Sequence, residues 1–226
     1  MIVKTISSSI IGIDSYSVDV EVDVSSGLPQ FSTVGLPDTA VRESKDRIKA
    51  AIKNSGYSFP RNRVTVNLAP ADIKKEGTSF DLPIACGILA AEGIIHPENL
   101  NEYMLIGELS LDGSIKFVHG VLSATLRAKT TGLKGIILPR ENATEAAMVE
   151  GIDVIAVDYL HEAVEFLNDI QKIPAITMNA YEMYSKSLNY PFDFDEVSGQ
   201  DQAKRSLEVA AAGGHNIIMI GPPGSG

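Results

Sequence analysis

The chain has 226 residues, 44 % hydrophobic and 21 % charged, the composition of a folded globule and not of a disordered, collagenous or coiled-coil chain. At roughly 150 residues per domain, the length calls for more than one domain and fewer than two. Its 29 acidic residues outnumber 19 basic ones for a net charge of −10, which weighs against nucleic-acid binding over most of the surface and leaves room only for a local basic patch.

The single Cys86 excludes an intramolecular disulfide and fits a reducing compartment. The opening MIVKTISSSIIGI lacks the continuous apolar core of a signal peptide. No apolar run approaches the ~18 residues of a membrane span. A cytoplasmic protein without membrane attachment is expected.

SYSVDVEVDV alternates strictly over residues 15–24. Tyr16, Val18, Val20, Val22 and Val24 fall on one face, Ser17, Asp19, Glu21 and Asp23 on the other, which predicts a half-exposed strand. Its carboxylates read as a solvated face or as a metal site. A helix follows Pro37, with Asp38 as N-cap, Val41, Ile48 and Ile52 on its apolar side and Gly56 at its end. RVTVNL reads as a strand broken by Pro70. Asp81 can then cap a helix through DLPIACGILAAEG, with Pro83 in its first turn. That helix is apolar nearly all round and should be deeply buried.

Met104–Leu109 and Ile115–Val118 read as two strands joined through Asp112-Gly113, a hairpin signal. A helix over 122–131 comes next, then GIILP as a strand, ENATEAAMVEG as a helix, DVIAV as a strand and LHEAVEFLND as a helix. This alternation, after an antiparallel opening, predicts a mixed α/β domain over residues 1–170. Residues 171–190 carry no clean period and read as a linker. From Pro191 a second unit begins, with Ala203, Leu207 and Ala210 at helical spacing, a stop at Gly213-Gly214 and a short buried strand over 216–220.

The last residues, Gly221-Pro222-Pro223-Gly224-Ser225-Gly226, match the first six positions of GxxxxGK[ST], the phosphate-binding loop. Glycines in that loop let successive N–H groups turn inward on a phosphate, and the following helix N-terminus adds positive potential. A lysine and a Mg²⁺-holding hydroxyl complete it; both would lie beyond Gly226. A plain Pro/Gly tail is the alternative.

With VSGQDQAKRSLEVAAAGGHNIIMIGPPGSG in hand, the sequence resembles the opening of the AAA+ module in magnesium-chelatase-like ATPases of the YifB/ComM type. The leading segment through SGYSFP, and VTVNLAPADIKKEGTSFDLPIACGIL after it, is similar to that family's first domain. The resemblance implies a Lon-protease-like, ribosomal-S5-domain-2-like α/β fold over 1–170, followed over 191–226 by the truncated start of a P-loop ATPase. It implies ATP and Mg²⁺ as cofactors of the intact protein, a self-assembled, hexameric ring, and a motor acting on DNA in recombination or DNA uptake. DNA contact is expected through the missing portion. Gly221 to Gly226 would form half of the phosphate loop, and Val197, Gly199 and Gln200 resemble the stretch beside the adenine. The fragment itself is expected to be catalytically inactive and to hold no nucleotide tightly.

A Lon-like serine peptidase is the competing reading. KKEGTSFDLPI resembles the segment that carries the nucleophile, which puts Ser79 at that position. The base lysine of the Ser–Lys pair should stand where Leu122 is, and an apolar side chain takes no proton, so Ser79 reads as vestigial. Lys116 and Lys129 are the nearest lysines, at the wrong phase or distance. His119 is a substitute base or a structural residue; His96, His161 and His215 have no ligand spacing. A third reading is an assembly or partner-binding module. Arg61, Arg63, Lys74 and Lys75 form a local basic cluster, read as a solvated loop face or as a contact to nucleic acid or a neighbouring subunit, and no aromatic residues interleave it as stacking platforms would require.

Overall fold

The computed structural model describes residues 2–177 and 193–222, which belong to two compact units, Met1–Asn179 and Ala180–Gly226. The first unit is built on a seven-stranded sheet. Its strands are β1 (Ile2–Ile11), β2 (Asp14–Ser25), β3 (Gln30–Val34), β4 (Arg63–Ala69), β5 (Tyr103–Leu105), β8 (Gly135–Pro139) and β9 (Asp153–Val157), in the order β3-β4-β2-β1-β5-β8-β9. The pairs β1–β2 and β2–β4 are antiparallel; all other neighbours are parallel. The fold is therefore the expected mixed α/β one.

The alternation of β2 is realised from Val18 to Val24, whereas Tyr16 is only half-buried. Val18, Val20 and Val22 are completely buried, while Asp19, Glu21 and Asp23 remain partly exposed. On the polar face Lys4 of β1 pairs with Asp19 at 2.7 Å, and Asn67 of β4 donates to Glu21 at 2.8 Å. These are cross-strand contacts of the ordinary kind, and no group of acidic, histidine or cysteine side chains among the described residues is arranged to hold a metal ion.

Helix α1 (Thr39–Asn54) starts as its sequence predicts: Asp38 Oδ1 accepts from Val41 N at 2.8 Å. Helix α2 (Asp81–Ala91) is buried on every side through Ala90. It lies so close to the valine face that a Cβ on Gly87 would meet Val22 Cγ2 at 2.7 Å. Asp81 does not cap it. Phe80 occupies the cap without a side-chain bond, and the Asp81 carboxylate turns to Arg47 of α1 and to the backbone N–H of Leu109. The leftover helix-end donor is satisfied otherwise, Leu82 N bonding to Gly107 O at 3.0 Å.

The strand expected over 104–109 is broken in two. β5 joins the main sheet, whereas β6 (Glu108–Leu109) pairs only with β7 (Ile115–Lys116). The break falls at Gly107, where a Cβ would sit 2.7 Å from Ile115 Cγ2; the chain bends there between Leu82 and the hairpin. After α3 (Pro97–Leu100) and α4 (Val121–Thr130), the expected helix over 141–151 shrinks to a 3₁₀ turn at Arg140–Asn142 and the short α5 (Ala143–Ala146). Asn142 explains the irregular entry: it is fully buried, accepts from Val118 N at 3.0 Å and donates to Val118 O at 2.9 Å. Helix α6 (Leu160–Leu167) completes the unit.

The apolar core falls into two clusters, one containing the β2 valines and α2, the other Met104, Ile136, Val154 and α4. The first residues read as linker belong to this unit. Ile173 and Ala175 pack on the first cluster, Ile176 packs on the second and bonds through its N–H to Val154 O at 2.9 Å. The linker over 178–190 lies outside the described residues.

In the second unit a 3₁₀ turn at Phe194–Glu196 leads to α7 (Asp201–Gly213). Gly214 ends this helix in a left-handed conformation, and His215 N returns to Ala210 O at 2.8 Å, a glycine C-cap as expected. The strand expected over 216–220 is absent. These residues are irregular and exposed, Ile220 at 91 %. An isolated strand leaves its N–H and C=O groups unpaired, and the described residues of the second unit contain no strand to pair with it. Among the described residues no helix is long and apolar enough to cross a membrane.

Candidate functional site

Two clefts of the first unit bring polar side chains together. One, of about 560 Å³, is lined by Ser79, Thr78, Glu108, His119, Asp38 and the Ser8–Ser9 end of β1. Its floor is the loop entering α2. Ser79 O accepts from Gly107 N at 2.9 Å, and Thr78 Oγ1 donates to a Glu108 carboxylate oxygen. Asp38 closes the side, accepting from Gly77 N at 3.2 Å. His119 stacks edge-on against Phe117, ring centres 5.1 Å apart.

The cleft thus holds the serine the sequence singled out, together with His119, but no lysine. Leu122 stays outside it, 37 % exposed, its N–H bonded to Glu145 at 3.0 Å. The α4 side chain that reaches the cleft is Ala124. Lys116 sits in β7 opposite Glu108, and Lys129 near Gly151. Three acidic side chains line this cleft, which suits neither a thiolate nor an oxyanion. His96 and His161 are elsewhere, the latter stacked on Tyr159 at 5.5 Å. Cys86 is fully buried, and burial pushes its thiol up to about 12, so it is inert.

The basic cluster of the sequence is not a cluster in space. Arg63 donates to Gln30 at 2.8 Å, and Lys74 pairs with Glu76 at 2.6 Å. Lys75, expected on a solvated loop, is completely buried. Its ammonium donates to Ile73 O at 2.6 Å and to Pro70 O, and burial draws its pKa down. A long cationic side chain here serves as a donor for carbonyls that the turn leaves unpaired. Arg61 alone joins other cations, in the second cleft, of about 650 Å³. There it shares the lining with Lys45, Lys49 and Lys53 of α1 and with Phe31, Tyr57 and Phe59. The absence of aromatics from the cluster is thereby corrected. Two signals for this cleft were present in the sequence: lysines at every fourth position of α1, and the alternation Tyr57, Phe59, Arg61.

In the second unit, Val197 is 44 % exposed, and Gly199 and Gln200 both have positive φ. Lys204 Nζ fixes the turn before α7 by donating to Val197 O at 2.8 Å and to Phe194 O at 3.3 Å. Gly221 and Pro222 are exposed and irregular; Pro223, Gly224, Ser225 and Gly226 lie outside the described residues.

Comparison with known proteins matches residues 20–142 to the family described as subunit ChlI of Mg-chelatase, and residues 193–226 to magnesium chelatase, subunit ChlI. The protein YifB of Escherichia coli is 42 % identical over 218 residues, 96 % of this chain and 42 % of that protein. Competence protein ComM of Haemophilus influenzae is 40 % identical over 219 residues, 95 % of this chain and 42 % of that one. Lon protease 2 of Bacillus subtilis is 26 % identical over 147 residues, 62 % of this chain. The chain spans about two fifths of the length of the YifB and ComM relatives.

Proposed function

Because the chain belongs to the Mg-chelatase subunit ChlI family, with YifB and ComM among its relatives, we propose that it is the leading part of an ATP-driven AAA+ motor acting on DNA. The observation that carries this is the tandem of two family matches, the second running through the GPPGSG loop. In this reading residues 1–170, together with the described residues of 171–177 that pack on them, are the Lon-like domain, the rest of 171–190 the linker and 191–226 the start of the ATPase. Val197, Gly199 and Gln200 lie beside the adenine, and Gly221 to Gly226 wrap the phosphates. ATP supplies the driving energy and Mg²⁺ neutralises its phosphates, in a self-assembled hexameric ring within the cytoplasm. ComM's name as a competence protein supports a task in DNA uptake; a part in recombination by branch migration is the further extent of this reading.

Residues 1–226 alone have half of the phosphate loop and no lysine for the β- and γ-phosphates, so they bind ATP no tighter than micromolar and do not hydrolyse it. Calorimetric titration of this chain with MgATP tests that statement, and sub-micromolar affinity contradicts it. A polypeptide continuing from Gly226 with Lys and then Ser or Thr, and hydrolysing ATP only with Mg²⁺, carries the motor reading. Any other continuation removes it. The peptidase alternative is disfavoured by Leu122, which is apolar and stands outside the Ser79 cleft.

A further inference from the structure

The cleft between α1 and the edge strand β3 is unlike the rest of the molecule. The chain carries a net charge of −10, yet no acidic residue lines this cleft. Lys45, Lys49 and Lys53 are exposed and fall on one stripe of α1, Arg61 faces them from the loop before β4, and none of the four makes an ion pair among the described residues. Like charges at i, i+4 cost a helix stability. A bound polyanion would remove that cost, and the interval between the lysines, roughly 6 Å, is of the order of that between successive phosphates in a single strand.

The aromatic rings decide which polyanion. Phe31, Tyr57 and Phe59 are anchored at the edge of the core and only partly buried. Phe31 and Phe59 lie with centres 6.5 Å apart, tilted by 30°, and both line the cleft. Cations along a groove, interleaved with aromatic rings, are what unpaired bases on a phosphate backbone require, and a duplex hides the base faces that such rings would stack on. We propose that this cleft binds single-stranded nucleic acid, Lys45, Lys49, Lys53 and Arg61 holding phosphates while Phe31, Tyr57 and Phe59 stack on bases. The proposal stands on the cleft alone and does not need the motor reading to hold.

Fluorescence anisotropy on the 226-residue chain, without ATP, tests it with a labelled oligothymidylate of about 20 nucleotides. Binding should weaken with salt at a log–log slope of about −2 to −3, the value for three or four phosphate contacts on a single strand. The triple variant Lys45→Ala, Lys49→Ala, Lys53→Ala should bind at least ~30-fold more weakly and lose about 0.7 of slope per lysine, with a melting temperature no lower than that of the parent. Phe59→Leu should weaken binding about tenfold with the slope unchanged, as loss of one stacking platform does. Lys129→Ala, outside the cleft, should change nothing. Duplex DNA bound as tightly as the single strand, or polyglutamate competing equally with no effect of Phe59→Leu, makes the cleft a general anion or acidic-peptide dock and overturns the proposal. So does an absence of binding at about 50 mM salt.

Discussion

Arg47 of α1 grips Asp81 of α2 with two parallel bonds, Nε to Oδ2 at 2.9 Å and Nη2 to Oδ1 at 3.2 Å. Asp81 is 1 % exposed, and its Oδ2 also accepts from Leu109 N at 3.2 Å. One carboxylate therefore ties α1, α2 and the β6–β7 hairpin together. Burial outweighs the guanidinium and pushes the Asp81 carboxyl up to about 6.

A raised carboxyl pKa has a definite sign. The folded protein holds a proton on Asp81 at pH values where the unfolded chain, with its ordinary value of 3.8, has released it. Stability from this group is fully present below about pH 4 and is lost as pH rises through about 6, roughly 3 kcal/mol in all. Urea unfolding from pH 4 to 7 should show this fall in the parent protein, and Asp81→Asn should lack it.

Removing the partner instead leaves the charge behind. Arg47→Met should cost about 3–5 kcal/mol near pH 8, and the loss should shrink on acidification as Asp81 takes up its proton. A deficit independent of pH would assign the role of Arg47 to packing.

Gly87→Ala should destabilise by about 1–3 kcal/mol, against the propensity gain expected of alanine in a helix. The obstacle is Val22 Cγ2 at 2.7 Å, on a stiff, fully buried side chain. Val22→Ala should lower the cost of Gly87→Ala, and thermal melts of the four proteins of this double-mutant cycle measure the coupling.

Lys75 is a stability residue and not a binding one. Lys75→Ala leaves the carbonyls of Ile73 and Pro70 without their donor and should cost about 1–3 kcal/mol. Its nucleic-acid affinity, once refolding is verified by circular dichroism, should match the parent's.

A serine-directed phosphonate should leave Ser79 unlabelled, because no lysine lines its cleft. Labelling abolished by Ser79→Ala, read by mass spectrometry, would revive the peptidase.

Strict alternation made β2 legible in the sequence, a continuous apolar run after Asp81 did so for α2, and Asp38 marked the start of α1, since a cap side chain and a buried face leave local patterns. β1 was not legible: its buried face includes Thr5 and Ser7, so hydrophobic alternation fails there. The helix expected over 141–151 was lost to a tertiary contact, the two bonds of Asn142 to Val118, that no local rule encodes. The strand expected over 216–220 has the right composition, but the described residues of its own unit offer no second strand. For the sites, Ser79 and His119 were named and do share a cleft, whereas Lys75 was misread because charge in a sequence gives no depth. The α1 cleft went unread because its cations and rings come from three segments, and only the fold sets them side by side.

The sheet order places β1 fourth of seven, the middle strand. It is the shared keel of an antiparallel half and a parallel half, paired with β2 from Ile2 to Ile11 and with β5 at Ile6–Met104. Made before its partner β5, β1 is thus completed on its second flank only after Met104 has been made, and until then the nascent sheet has an open inner margin. A cleavage before Asp14 would not trim the domain; it would separate the two halves.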